Sequence, residues 1–157
     1  VVASATDVPG EAARWLRDNN LPATLRMGED LRLKAMPWRE TALDLSTGVS
    51  DGRDLNAISH AFSGVAETGT LIMTSGPENP TTLNFLPDNH IVVVSAADLE
   101  GDYESVFDRL RATFGKDLMP RTVNMITGPS RSADIGQIML LGAHGPRKLH
   151  VVIIDAG

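Results

Sequence analysis

At 157 residues the chain has the length of one domain with a sizeable core, and 42% hydrophobic residues with only 4% aromatic fit an α/β protein rich in aliphatic side chains. A formal net charge of −6 gives no electrostatic reason to expect nucleic acid or an anionic membrane surface, and no apolar run approaches the roughly 20 residues that span a bilayer. The absence of cysteine removes a disulfide framework, a thiol nucleophile, Cys-ligated zinc and an iron–sulfur cluster held by this chain, so any electron carriers sit elsewhere.

The opening VVASATDVPGEA lacks the basic-then-apolar order of a signal peptide, and a cytoplasmic location is expected. The chain starts on Val1 and runs at once into a helix, as expected of one domain spanning 1–157 whose N-terminal segment is missing. Asp7, Pro9 and Glu11 form a helix entry, Ala12, Trp15 and Leu16 share one face, and Asn19-Asn20 ends the helix. A strand follows at 23–27. Residues 28–46 hold a short helix, Pro37 and a brief strand near 43–45. The polar stretch TGVSDGRD, 47–54, reads as a loop inside the domain, because apolar patterning resumes directly after it.

Leu71-Ile72-Met73 and Ile91-Val92-Val93-Val94 are short apolar runs bounded by turn formers, as expected of strands covered on both faces. Between them, 74–90 is long and rich in turn residues yet carries Leu83, Phe85 and Leu86 as apolar anchors, the mark of a loop packed down and shaped; Asn84 and His90 are its best polar candidates. Tyr103, Val106, Phe107, Leu110 and Phe114 recur at helical spacing, so 102–114 is an amphipathic helix. A strand at 122–127, a helix at 132–141 stopped by Gly142, and a strand at 149–154 complete the pattern. Alternating strands and helices imply parallel strands with ligands at their carboxyl edge. Thr127 to Asp134 is expected there beside Ser95 to Asp98 and Asp155, and His144 on the opposite edge.

Two motifs carry chemistry. In TGPSRSADI, Gly128 opens a turn and Ser130, Arg131 and Ser132 precede a helix whose first turn holds Asp134. Backbone N–H groups, hydroxyls and a guanidinium then converge as an anion requires. Ser132 and Asp134 are equally good helix capping, but Arg131 at the positive end of a helix dipole needs a negative group, either Asp134 or a ligand. Glu67-Thr68-Gly69-Thr70 places an acid or base beside backbone donors, or simply relieves a tight turn with glycine. Were its strand antiparallel to the later ones, Glu67 and Arg131 would share one edge and one site. His60, His90, His144 and His150 show no metal-ligand spacing, and dinucleotide, nucleophile-elbow and Walker motifs are missing.

The segments AETGTLIM (66–73), TSGPENPTTLNFLPDNHIVVV (74–94), TGPSRSADIGQ (127–137) and LGAHGPRKLHVVIID (141–155) together resemble the LUD domain of the lactate-utilisation protein C (LutC/YkgG) family. The resemblance implies a three-layer α/β/α fold with an open, mostly parallel sheet, similar to the NagB/RpiA/CoA-transferase superfamily. It also implies a part in oxidising L-lactate to pyruvate beside two partner proteins that carry the iron–sulfur clusters, with no cofactor in this chain. The family supplies no catalytic residue to carry over, so the site is a physical inference on the matching motifs: Glu67 as the catalytic candidate, and Thr68, Gly69, Thr70, Asn84, Gly128, Ser130, Arg131, Ser132 and Asp134 as the carboxylate or anion site. The chain is then either a substrate-handling component of a lactate-oxidising assembly or, by fold analogy, an enzyme acting on a phosphorylated or CoA-linked small molecule.

Overall fold

The computed structural model describes residues 1–50, 52–115, 120–128 and 146–155. Helix α1 (Val8–Asp18) starts with Pro in its first turn and buries Val8, Ala12 and Leu16, spaced four apart on one face. Its outer face carries Arg14, which pairs with Glu11 and, at 2.8 Å, with Asp18. The helix stops as the two asparagines predict: Asn19 donates from Nδ2 to the Trp15 carbonyl at 2.8 Å, and Asn20 takes φ 55°.

Strands β1 (Thr24–Met27), β2 (Asp44–Thr47), β3 (Asn56–His60), β6 (Asn89–Ser95) and β9 (Lys148–Ile154) form a five-stranded sheet in the order β2-β1-β3-β6-β9. Every pairing in it is parallel. The protein is thus an α/β fold on a mostly parallel sheet flanked by helices. Strand β6 shows why the sheet is buried on both sides. Ile91 and Val93 point to α1, joining Leu16, Leu25, Met27, Ile58 and Val152, while Val92 and Val94 point the other way to Leu71 and Met73.

Leu71 and Met73 belong to a second sheet. It comprises β4 (Ser63–Val65), β5 (Thr70–Thr74), β7 (Leu99–Glu100) and β8 (Val123–Ile126) in the order β7-β4-β5-β8. Here β5 runs antiparallel to both β4 and β8. Helix α4 (Tyr103–Phe114) covers it through Val106 and Leu110, which pack with Val65 and Ile72.

The strand at 122–127 therefore lies outside the parallel sheet in which strand–helix alternation set it, and the strand at 70–74, whose direction the sequence leaves open, runs antiparallel to it. The cause is the four-residue turn 66–69, in which Gly69 takes φ 68° and donates to the Val65 carbonyl at 2.9 Å. So short a connection permits only an antiparallel pair. The helix expected at 132–141 lies outside the described residues. Within 74–90, only a short helix α3 (Thr82–Phe85) forms, and Leu83 is its buried anchor. Phe85 and Leu86, expected as anchors, are 41% and 47% exposed, and His90 is a residue of β6, not of the loop.

Candidate functional site

The antiparallel ladder brings the start of β5 to the end of β8, with Leu71 opposite Ile126. One residue beyond that pair, the Thr70 hydroxyl lies 2.7 Å from that of Thr127. Thr70 Oγ1 also lies 2.7 Å from Thr68 Oγ1 and 3.0 Å from the phenol oxygen of Tyr103, to which Thr68 donates at 3.1 Å. A threonine hydroxyl has one hydrogen and two lone pairs, so Thr70, 1% exposed, is a saturated hub with three hydroxyls around it. Hydrogen bonds with Thr68 and Thr70 hold the Tyr103 phenol below its ordinary pKa, against burial and the negative charge of Glu67.

Glu67, Thr68 and Gly69 are exposed at the tip of the β4–β5 turn, and Gly128, with φ 77°, turns the chain sharply after Thr127. Of the residues expected to form the site, Glu67, Thr68, Gly69, Thr70 and Gly128 thus lie on one rim. Ser130, Arg131, Ser132 and Asp134, and with them His144, lie outside the described residues. Asn84 is on α3, which packs against β3; it is fully buried, and neither its Oδ1 nor its Nδ2 has a partner. Tyr103 was not foreseen as more than a core position. Its helical spacing with Phe107 masked a polar tip at the first residue of α4.

A second polar region sits at the carboxyl edge of the parallel sheet. The order β2-β1-β3 makes the gap between β1 and β3 the point where successive connections diverge, the usual place for a ligand crevice. Asp30 caps α2 (Leu31–Lys34) there, accepting from the Arg32 and Leu33 amides at 2.8 and 3.4 Å while pairing with the Arg32 guanidinium at 2.8 Å. Burial raises its carboxyl, but Arg32 outweighs that and holds it below the usual carboxylate range. His60, at the end of β3, directs Nδ1 to the Ala61 carbonyl at 2.9 Å, so Nδ1 carries the hydrogen and Nε2 is an acceptor. Burial and the Arg32 charge lower its pKa, against Ala61, Asp30 and Asp98. A lone histidine in the polar stretch NAISH offered no spacing from which this could be read.

The loop 75–81 closes over this edge. Pro77 accepts the Glu29 amide at 2.9 Å, and a Cβ on Gly28 would stand 2.3 Å from the Glu78 carbonyl oxygen. The loop borders two cavities. One, of about 340 Å³, is lined by Glu29, Asp30, Arg32 and Glu78. The other, of about 600 Å³, lies among Val49, Ser75, Thr81, Thr82, Arg121 and Thr122.

His150 stacks on Trp15 at a 5.1 Å centroid distance and meets Glu11 at 3.0 Å, tying α1 to β9. Among the described residues, no three His, Asp or Glu side chains gather as a metal site, and no helix is long and apolar enough to cross a membrane.

The fold and its rim of turn motifs define an α/β domain of the kind the sequence motifs anticipate, and comparison with known proteins gives it a family. The LUD domain profile matches residues 56–154, and the chain belongs to the LUD domain family. It is 35% identical over 96 residues to an uncharacterized protein of Neisseria meningitidis serogroup B, covering 61% of this chain and 40% of that protein. It is 32% identical over 91 residues to lactate utilization protein C of a Geobacillus species, covering 57% and 38%. To lactate utilization protein C of an Exiguobacterium species it is 32% identical over 119 residues, covering 74% and 51%. The chain thus spans about two fifths to one half of the length of these relatives. A DUF162 family protein from Deinococcus radiodurans, of solved crystal structure, shares the fold at 20% identity with a TM-score of 0.71, covering 97% of this chain and 85% of that one.

Proposed function

We propose that this chain is a component of L-lactate utilisation, binding a small carboxylate at the rim shared by the 67–70 turn and the exit of β8. Partner proteins would carry the iron–sulfur clusters, since this chain has no cysteine with which to hold one. The relatives named lactate utilization protein C support the pathway.

The observation that carries the site is the 2.7 Å contact of Thr70 with Thr127 across an antiparallel ladder. It puts the Glu67 turn beside the strand whose sequence runs, three residues on from Gly128, into Arg131 and Ser132. The Thr127 hydroxyl, together with a guanidinium from Arg131, would make a donor set suited to a carboxylate.

The test is a melting-temperature screen with L-lactate and pyruvate, because a ligand of the native state raises apparent stability. Stabilisation by either acid that disappears in Arg131→Ala supports the reading; stabilisation of equal size in the variant removes Arg131 from the site. A second reading, in which the chain is itself an enzyme with Glu67 as the catalytic base, is favoured by the proximity of Glu67 to the lowered Tyr103 phenol. Turnover lost in Glu67→Gln with ligand stabilisation retained would establish it, and undiminished turnover would exclude it.

A further inference from the structure

The cavity of about 600 Å³ beneath the 75–82 segment has a chemistry of its own. Ser75 Oγ accepts the Thr122 amide at 2.8 Å, and Thr82 Oγ1 accepts the Ser50 amide at 3.1 Å. Each hydroxyl is pinned by the hydrogen bond it accepts and keeps its own hydrogen to donate. Thr81 and Thr122 add two more hydroxyls to the lining. Arg121, exposed at the mouth, forms no ion pair with a described residue.

Charge sharpens the contrast. In a chain of net charge −6, none of the described residues that line this cavity carries a carboxylate. The loop's own acid, Glu78, folds its carboxylate back on Gly76 and lines the neighbouring cavity instead. A guanidinium beside two pinned hydroxyl donors, with no carboxylate among the described lining residues, suits an oxyanion. Donors from two segments, 75–82 and 121–122 across the ladder end, approach from different sides and suit a tetrahedral group with three terminal oxygens better than a planar carboxylate with two. The position agrees: Val49 follows β2, and the loop lies over Gly28 at the end of β1, so the cavity opens at the carboxyl edge of the parallel sheet, where open α/β sheets take ligands.

We propose that this cavity binds the phosphoryl group of a small phosphorylated molecule, held by Arg121 and the hydroxyls of Ser75, Thr82 and Thr122. It lies at the opposite end of the β5–β8 ladder from the Thr70–Thr127 rim, since Thr74 pairs with Val123.

Inorganic phosphate is the probe, titrated at low ionic strength and followed by amide chemical shifts and melting temperature. Saturable shifts concentrated at 75–82 and 121–122, with affinity lowered at least tenfold in Arg121→Gln and partly restored in Arg121→Lys, are the expected result. Equal phosphate affinity in wild type and Arg121→Gln, or shifts confined to other regions, would overturn the proposal. So would displacement of phosphate by equimolar L-lactate, which would make the cavity a general anion site. The outcome is independent of the carboxylate reading: that reading fails if L-lactate and pyruvate do not bind, whatever phosphate does.

Discussion

The α-carbon of Gly28, at the end of β1, lies against the carbonyl of Glu78 so closely that no side chain fits between them. This contact seats the 75–81 loop on the sheet edge together with the Glu29–Pro77 hydrogen bond.

Gly28→Ala should cost about 1–3 kcal/mol, the usual penalty of forcing backbone apart in a packed interior. Urea denaturation measures it. The same substitution shifts the loop that walls both cavities, so phosphate affinity should fall with stability. An unaltered denaturation midpoint would mean that the loop moves aside without cost.

Thr70→Val keeps the shape of the side chain and removes the hydroxyl that joins Thr68, Tyr103 and Thr127. We expect a loss of about 1 kcal/mol, typical of one hydrogen-bonding group whose partners can still reach solvent. Tyr103 is the chain's only tyrosine, so its ionisation can be followed directly by ultraviolet absorbance. Its pKa should rise in the variant, because a hydrogen bond that favours phenolate is gone; a fall or no change would contradict the relay.

Stability should decline as the solution is acidified through the histidine range. His90 is fully buried on β6, with Nε2 2.9 Å from the Ser59 hydroxyl and Nδ1 unpartnered, and burial pushes its pKa down to about 4. The unfolded chain therefore binds a proton from about pH 6.5 downward that the folded chain refuses. The native state keeps its full advantage above that pH and loses it between about 6.5 and 4, on the order of 3 kcal/mol in all. His60, also lowered, adds to the same trend. Denaturation midpoints across this window should fall steeply in wild type and less so in His90→Gln. Parallel slopes would show that His90 does not titrate there.

Asp30→Ala should cost about 1–2 kcal/mol by removing the cap of α2, with Asp30→Asn costing less because the amide oxygen still accepts from the backbone. Since Arg32 holds the Asp30 carboxyl low, its contribution persists above the unfolded carboxylate pKa and disappears only below it. That window lies beneath the histidine window, so the two effects separate in one pH series.

Much of this architecture was legible where periodicity is strong. The alternation of Ile91, Val92, Val93 and Val94 and the spacing of Val106 and Leu110 map directly onto two core clusters each side of a strand and one helix face. Strands β3 and β4 were not legible, because NAISH and SGV bury Asn56, Ser59, His60 and Ser63 in place of an apolar run. Without them the turn at 66–69 carries no hairpin signature, and strand–helix alternation alone sets β8 in the parallel sheet instead of beside β5. The juxtaposition of Glu67 with the exit of β8 was legible only as a conditional on strand direction, which a long-range pairing decides. The seating of 75–81 on Gly28 had no signal beyond the presence of a glycine, since close approach depends on a partner some fifty residues away.

The pairing of β5 with β8 also has a bearing on biosynthesis. Strand β5 carries Leu71, Ile72 and Met73, and about fifty residues separate it from the strand that covers its outer edge. At ordinary translation rates that interval lasts roughly three to ten seconds, during which an apolar strand presents unpaired amides and carbonyls to its surroundings. A ribosome pausing in that stretch would prolong the exposure, and the nascent polypeptide would be most prone to aggregate there.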